Sequence, residues 1–459
     1  MSGDLSKPGE AVAEQLARIG AALDPKGLPA AVRERCVDLV IDISGLCVAA
    51  RREPYVRALI ESADGDGPCT AFGHHRRFSA AEAALINGTA AHGEDFDDTF
   101  EGGPVHAGAV IVPAVMAAAE RYSRDGAAAL LGIAVGVETC CRLSLVTPQL
   151  VHRAGFHPTA VLGTMAAALG VGVSLGLSSK QLVDALGIAG SMASGIIEYL
   201  AEGAWTKRMH PGWSAQAGLR AALAARAGFV GPRTVFEGTH GFFHGFAHKI
   251  DGNYAALLDG FGQRWVTETI AFKPYACGTM THPYIDCARR LAARGVRADD
   301  VEEMVCEVAK GTVHRLWEPL AAKHQPPNGY AGKFSGPFCI AVAFLTGDAG
   351  LGAFTDDRAR DPKIRALASK VRFEIDPNNP YPNEFTGHIR ARLRDGKVVE
   401  ERQPYMRGGA HEPLPRADLE TKFKGNVVYG GWTADEAEDG LAAAKRVFDG
   451  RLNLSAFRQ

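Results

Sequence analysis

The sequence predicts a mostly α fold with an α+β part, a large all-helical domain carrying a smaller inserted α+β domain. Three observations lead there. Residues 8 to about 265 form a series of segments with apolar residues at helical spacing. From about residue 268 the period changes to two and β-branched residues take over. The tail from Asp418 returns to helix. At 459 residues the chain also exceeds what one hydrophobic core usually supports. The domains read as 1–268 with 410–459, and 269–409.

In chain order, Leu28 to Ala49 places Ala30, Val32, Cys36, Leu39, Val40 and Ile43 on one helical face. Further helices read at Ala80–Ala91, Ala107–Tyr122, Gly126–Leu145, Pro158–Leu175 and Ser179–Ala193, rich in the Ala and Gly that permit close packing. Val301–Val313 and Lys370–Ile375 read as strands, with Tyr330–Thr346 a helix between them. Gly387–Pro404 reads as a hairpin around Asp395-Gly396.

Bulk properties exclude several function classes. Lys plus Arg number 50 against 52 acids, so no overall field favours nucleic acid or an anionic membrane. Nine scattered cysteines without C-x-x-C spacing predict neither a disulfide framework nor a structural zinc site. Thr159–Leu177 is uncharged and nearly long enough to span a bilayer, but its Ala, Gly and Thr content reads as a buried helix. The polar opening MSGDLSKPGEAVAEQ lacks the apolar stretch of a signal peptide, so a cytoplasmic location is expected.

Three His-Pro pairs stand out: His157-Pro158, His210-Pro211 and His282-Pro283. Composition alone, 15 His and 24 Pro, would give about 0.8. Each precedes an apolar run of helical period, which predicts a histidine at or near a helix N-cap. His106 precedes the helix at Ala107 in the same way. A helix N-terminus opposes positive charge and keeps an imidazole neutral at pH 7, fit to act as a base. Each alone reads as readily as a capping residue; together they point to a site. Lys207 and Arg208, just before His210, form a cationic cluster suited to a carboxylate. In the acidic segment Glu94–Thr99, Asp95 is expected to orient a histidine while Asp97 and Asp98 cap or pair structurally.

Other patterns carry less. His240, His244 and His248 share a spacing of four, but Gly241 and Gly245 interrupt it and no acid joins it. The acidic segment makes a poor calcium loop, so no metal is expected. Gly170, Gly172 and Gly176 lie inside a helical stretch with no strand before them, which excludes a dinucleotide loop.

Several segments resemble the MmgE/PrpD family: NGTAAH (87–92) leading into DFDDT (95–99), His106, GFHPTAVLGT (155–164), TKRMHPG (206–212), FKPYACGTMTHPYIDCA (272–288), KFSGPF (333–338) and DLETKF (418–423). The resemblance spans nearly the whole chain. It implies a helical domain with a smaller α+β lid, a homodimer, no cofactor and a small di- or tricarboxylate substrate. By position it carries pocket roles onto Asp95, Thr99, His106, His157 and Lys207, with His282 nearby. Arg208, His210 and Lys273 join as substrate-binding candidates. Gly278 stands where members resembling cis-aconitate decarboxylase have a histidine, and Phe338 near a tyrosine position. The implied reaction is a dehydratase-like lyase step that removes a proton next to a carboxylate. An epimerase of a dicarboxylate, similar to iminodisuccinate epimerase, stays open, as does a non-catalytic helical binding protein.

Overall fold

A computed structural model of the protein describes residues 9–103, 105–202 and 204–459, so the first eight residues of the opening segment lie outside it. The chain forms two compact units. One comprises residues up to Gly93, Asp97–Ile270 and Leu419–Gln459; the other comprises Glu94–Phe96 and Ala271–Asp418. That three residues of the acidic segment group with the second unit follows from no local signal in the chain.

Five helices of the first unit carry the candidate site: α1 (Ala80–His92), α2 (Ala107–Arg121), α3 (Gly126–Ser144), α4 (Pro158–Ser174) and α5 (Thr206–Arg226). Helix α4 is buried along its whole length and packs against α2, α3 and α5. Small residues make this possible. A Cβ on Gly132 of α3 would lie 2.7 Å from the Gly170 carbonyl oxygen of α4, and one on Gly170 would lie 2.7 Å from that of Gly132. Likewise a Cβ on Gly88 of α1 would stand 2.6 Å from Cα of Gly212 in α5. The uncharged stretch is thus an interior helix. Among the described residues α3 is the single helix long and apolar enough to cross a membrane, and 89% of its apolar window is buried by protein.

In the second unit, strands β1 (Val301–Val308), β2 (Val371–Ile375), β3 (Gly387–Leu393) and β4 (Val398–Gln403) form a sheet of order β2-β1-β3-β4. β1 runs parallel to β2, with Met304 beside Val371, and antiparallel to β3; β3 and β4 form the hairpin. Its turn has Gly396 at φ +84°, and the Asp395 side chain accepts the Lys397 amide. Helices α6 (His282–Ala293) and α7 (Gly336–Thr346) pack together, α6 also lying on β3 and β4. Two expected elements are shorter than the sequence suggests. β1 stops at Val308 instead of Val313, because the Thr312 hydroxyl donates to the Ala309 carbonyl and turns the chain into a 3-10 segment. The Tyr330–Thr346 helix is broken: Ser335 accepts the Phe338 amide and starts α7 afresh, with Pro337 in its first turn. All nine cysteines are buried free thiols.

Candidate functional site

Four imidazoles gather in the first unit, each delivered by the end or first turns of a helix. His92 sits in the last turn of α1, His106 is the N-cap of α2, His157 is the N-cap of α4, and His210 lies in α5. Ring centroids step from His106 to His92 (4.7 Å), His92 to His157 (5.8 Å) and His157 to His210 (5.2 Å). Tyr199 meets His157 and His210 edge-on at 6.1 and 5.7 Å. His157 and His210 point their Nδ1 atoms at each other across 3.1 Å.

His210 departs from the expected helix start. Helix α5 begins four residues earlier at Thr206, with Trp205 as its N-cap, so Pro211 falls in the second turn and donates no hydrogen bond to the Lys207 carbonyl. Burial of His210, Pro211 and Gly212, and the close approach of α1 at Gly212, offset that loss. Starting the helix there also puts Lys207 and His210, three residues apart, on one face. The Arg208 guanidinium lies 4.5 Å above the Tyr55 ring.

Asp97 brings a carboxylate to two of the histidines. Asp97 Oδ2 lies 2.8 Å from His92 Nδ1 and 3.5 Å from His106 Nδ1. Asp98 caps α2, its Oδ2 accepting the Gly108 amide, while its carbonyl accepts from His106 Nδ1 at 2.7 Å. A carbonyl can only accept, so neutral His106 carries its proton on Nδ1 and Nε2 is the basic nitrogen. Asp95 adopts φ +55° and pairs within the second unit with Lys273, whose ammonium donates to the Asp95 carbonyl (2.9 Å) and Oδ1 (3.0 Å). Lys273 is only 1% exposed and is engaged with Asp95. Lys333 donates in the same way to the Glu94 carbonyl at 2.7 Å.

His282, also of the second unit, is fully buried at the first position of α6, with Nε2 3.2 Å from the Cys277 carbonyl and its ring edge-on to Tyr275. Thr99 is buried in the loop between α1 and α2. His240, His244 and His248 are exposed and share no helical face, since the helix there covers only Phe242–Ala247 and His248 has φ +53°. Two residues of the cluster escaped the sequence reading. His92 was visible only as the end of NGTAAH, five residues before Asp97, and nothing flagged Tyr199.

Burial holds the His157 pKa well below the ordinary imidazole value, reinforced by His92, Lys207, His210 and His106. His210 is lowered to about 4, first by burial and then by His92 and Lys207. Both rings are neutral at pH 7. An unfolded histidine binds its proton near pH 6.5, so between there and about 4 the unfolded chain takes up protons that the folded one refuses. Stability is therefore expected to fall as pH drops through that window. His74, lowered to about 4 by burial, adds to the slope, and Asp42, raised to about 6 by burial against the pull of Lys422, opposes it. Urea unfolding at pH 7 and 5 checks this: His210→Gln should flatten the dependence, and an unchanged slope would remove His210 from the account.

His92, Asp97 and His106 are the one group among the described residues whose donor atoms lie close enough to share an ion, within 4.8 Å of one another. Sequence reasoning did not foresee this grouping. The Nδ1 atoms of both histidines already stand at hydrogen-bond distance from Asp97 and the Asp98 carbonyl, which accounts for the arrangement through protons alone. Turnover is expected to survive EDTA dialysis. Loss of activity restored by a divalent cation would overturn that.

Comparison with known proteins adds a second line. The profile of the MmgE/PrpD N-terminal domain matches residues 14–254, and that of the MmgE/PrpD C-terminal domain matches 275–447. A cis-aconitate decarboxylase of Aspergillus terreus is 28% identical over 430 residues, covering 86% of this chain and 85% of the relative. The Homo sapiens cis-aconitate decarboxylase is 30% identical over 367 residues, 76% of this chain and 73% of its own. A cis-aconitate decarboxylase-like protein of Aspergillus oryzae is 27% identical and spans 91% of both chains.

Proposed function

This chain belongs to the MmgE/PrpD family, and from that premise we propose that it is a cofactor-independent lyase of small di- or tricarboxylic acids. Its reaction removes the proton α to a carboxylate and expels the β-hydroxyl as water. The observation that carries this reading is the His157–His210 pair, two buried imidazoles kept neutral beside Lys207. A carbon acid flanked by carboxylate needs both features, a cation to neutralise the carboxylate and a base that is unprotonated at working pH. Lys207 binds the carboxylate. His157 takes the α-proton. His106, whose Nδ1 lies 3.5 Å from the Asp97 carboxylate, gives a proton to the departing hydroxyl. No electrons leave the substrate, so the step needs no redox partner.

Decarboxylation is the second reading, favoured by the names of the relatives. There CO2 leaves, the carbon keeps the electron pair, and an imidazolium returns a proton to it. Two positions weigh against it. An added side chain at Gly278 would begin 3.3 Å from Phe334, and Phe338 is fully buried against Phe354, where a phenol would need a new partner. A homodimer belongs to the same reading through the family resemblance, and sedimentation velocity would test it. Product analysis by proton NMR with citrate, 2-methylcitrate, cis-aconitate and iminodisuccinate separates the chemistries. An alkene formed from a hydroxy acid supports the dehydratase, release of labelled CO2 from cis-aconitate means decarboxylation, and racemisation of iminodisuccinate means epimerisation. Silence across the panel favours a binding protein.

A further inference from the structure

The contact between His157 and His210 is unusual in joining like nitrogens. Two Nδ1 atoms 3.1 Å apart in a buried site can share only one proton, so one ring donates and the other accepts. The two rings must then be opposite tautomers: the donor has a lone pair on Nε2, and the acceptor carries its proton there. A histidine base is usually oriented by a carboxylate or carbonyl on its other nitrogen. Here the group in that position on His157 is a second imidazole.

The surroundings are built to hold this pair. The His157 amide donates to the Gly195 carbonyl at 2.8 Å. Gly195 has φ +136°, and a Cβ there would lie 2.5 Å from Ala160 Cβ, so only glycine fits at the turn that accepts the His157 amide. Ser214, one turn beyond His210, places its hydroxyl 2.6 Å from the Ala160 carbonyl of α4 and 2.8 Å from the His210 carbonyl of α5. The helices that carry the two imidazoles are thereby joined at the level of the rings.

We propose that His210 is a positioning residue whose Nδ1 lone pair accepts the Nδ1–H of His157, fixing His157 as the tautomer with a basic Nε2. The assignment deepens the carbon-acid reading above and takes from it the direction of the hydrogen bond. It also gives the captured proton a route. When Nε2 of His157 takes a proton from substrate carbon, the Nδ1 proton passes to His210 Nδ1. His157 is then neutral with Nε2–H, and the positive charge rests on His210. One proton enters the pair and none is lost, so releasing it to solvent after water has left, while His106 regains one, restores the starting state.

The test uses the resting enzyme without any ligand, so its outcome is separate from that of the turnover experiments. Long-range proton–nitrogen spectra of histidine-labelled protein at pH 7 report which nitrogen of each ring is protonated. The expected result is Nδ1–H on His157, Nε2–H on His210, and a hydrogen-bond coupling between the two Nδ1 atoms. In His210→Asn the side-chain oxygen can stand in for Nδ1, and His157 should keep its tautomer. In His210→Phe the acceptor is gone, and His157 should become a tautomer mixture. Nε2–H on His157 in the native enzyme would overturn the proposal, as would an unchanged His157 tautomer in His210→Phe. Should the Phe variant fail to fold, the native and Asn spectra still decide: loss of the single His157 tautomer in a folded Asn variant contradicts it.

Discussion

Lys207→Ala is expected to lower turnover by about 100-fold or more on whichever di- or tricarboxylate the enzyme converts, about 2.7 kcal/mol of transition-state stabilisation. As carbanion character develops next to a carboxylate, negative charge grows in a site whose two buried imidazoles are neutral, and the ammonium of Lys207 answers it. The lysine already acts on its neighbours, since it is among the causes that lower His157 and His210. The same variant should therefore raise the His210 pKa above about 4, an effect that NMR titration reads without substrate. Circular dichroism should show the fold intact, because Lys207 is only half-buried near the start of α5. Near-normal turnover by a folded Lys207→Ala enzyme would remove this residue from the site.

The second large effect is on stability. Lys273→Met should destabilise the protein by about 3–5 kcal/mol, because it leaves the Asp95 carboxylate buried without its ammonium partner. The side chains are 1% and 4% exposed, so water cannot take the place of the lost charge. Asp95 also holds a left-handed backbone (φ +55°), and Lys273 grips its carbonyl as well as its side chain. Chemical denaturation measures the loss. The Lys273→Met, Asp95→Asn double variant should recover part of it, since an amide is cheaper to bury unpaired than a carboxylate. Equal losses in the single and double variants would show that the ion pair is not what Lys273 contributes.

Much of this architecture is legible in the sequence because it rests on periodicity. The helices at Ala80, Ala107, Gly126 and Pro158 begin where the pattern places them, and the Asp395-Gly396 turn forms the expected hairpin. The change of period near residue 268 falls beside the unit boundary at Ile270 and Ala271. Histidines 106 and 157 were readable as N-caps because the local signals at those sites agree with one another. His210 was not, since the pre-proline rule is a tendency and packing of α5 against α1 and α4 overrides it. The acidic segment was the hardest to read. Three aspartates in four residues have similar local chemistry, and a single positive φ at Asp95 redistributes them among a lysine, two imidazoles and a helix cap. Tyr199 was invisible because only the fold brings it to His157 and His210.

The central claim is that a neutral imidazole at position 157 removes a proton next to a carboxylate. The most direct measurement is deuterium exchange from D2O into the α-position of recovered substrate, followed by NMR in the native enzyme and in His157→Gln, together with the isotope effect on turnover of α-deuterated substrate. The account predicts uptake at that carbon by the native protein, with an acidic limb in the pH–rate profile as His157 becomes protonated. It predicts near-complete loss of uptake in a His157→Gln enzyme that unfolds at the same temperature as the native one. Absence both of deuterium uptake and of a primary isotope effect on turnover of α-deuterated substrate, or equal uptake by the Gln variant, overturns the role of His157.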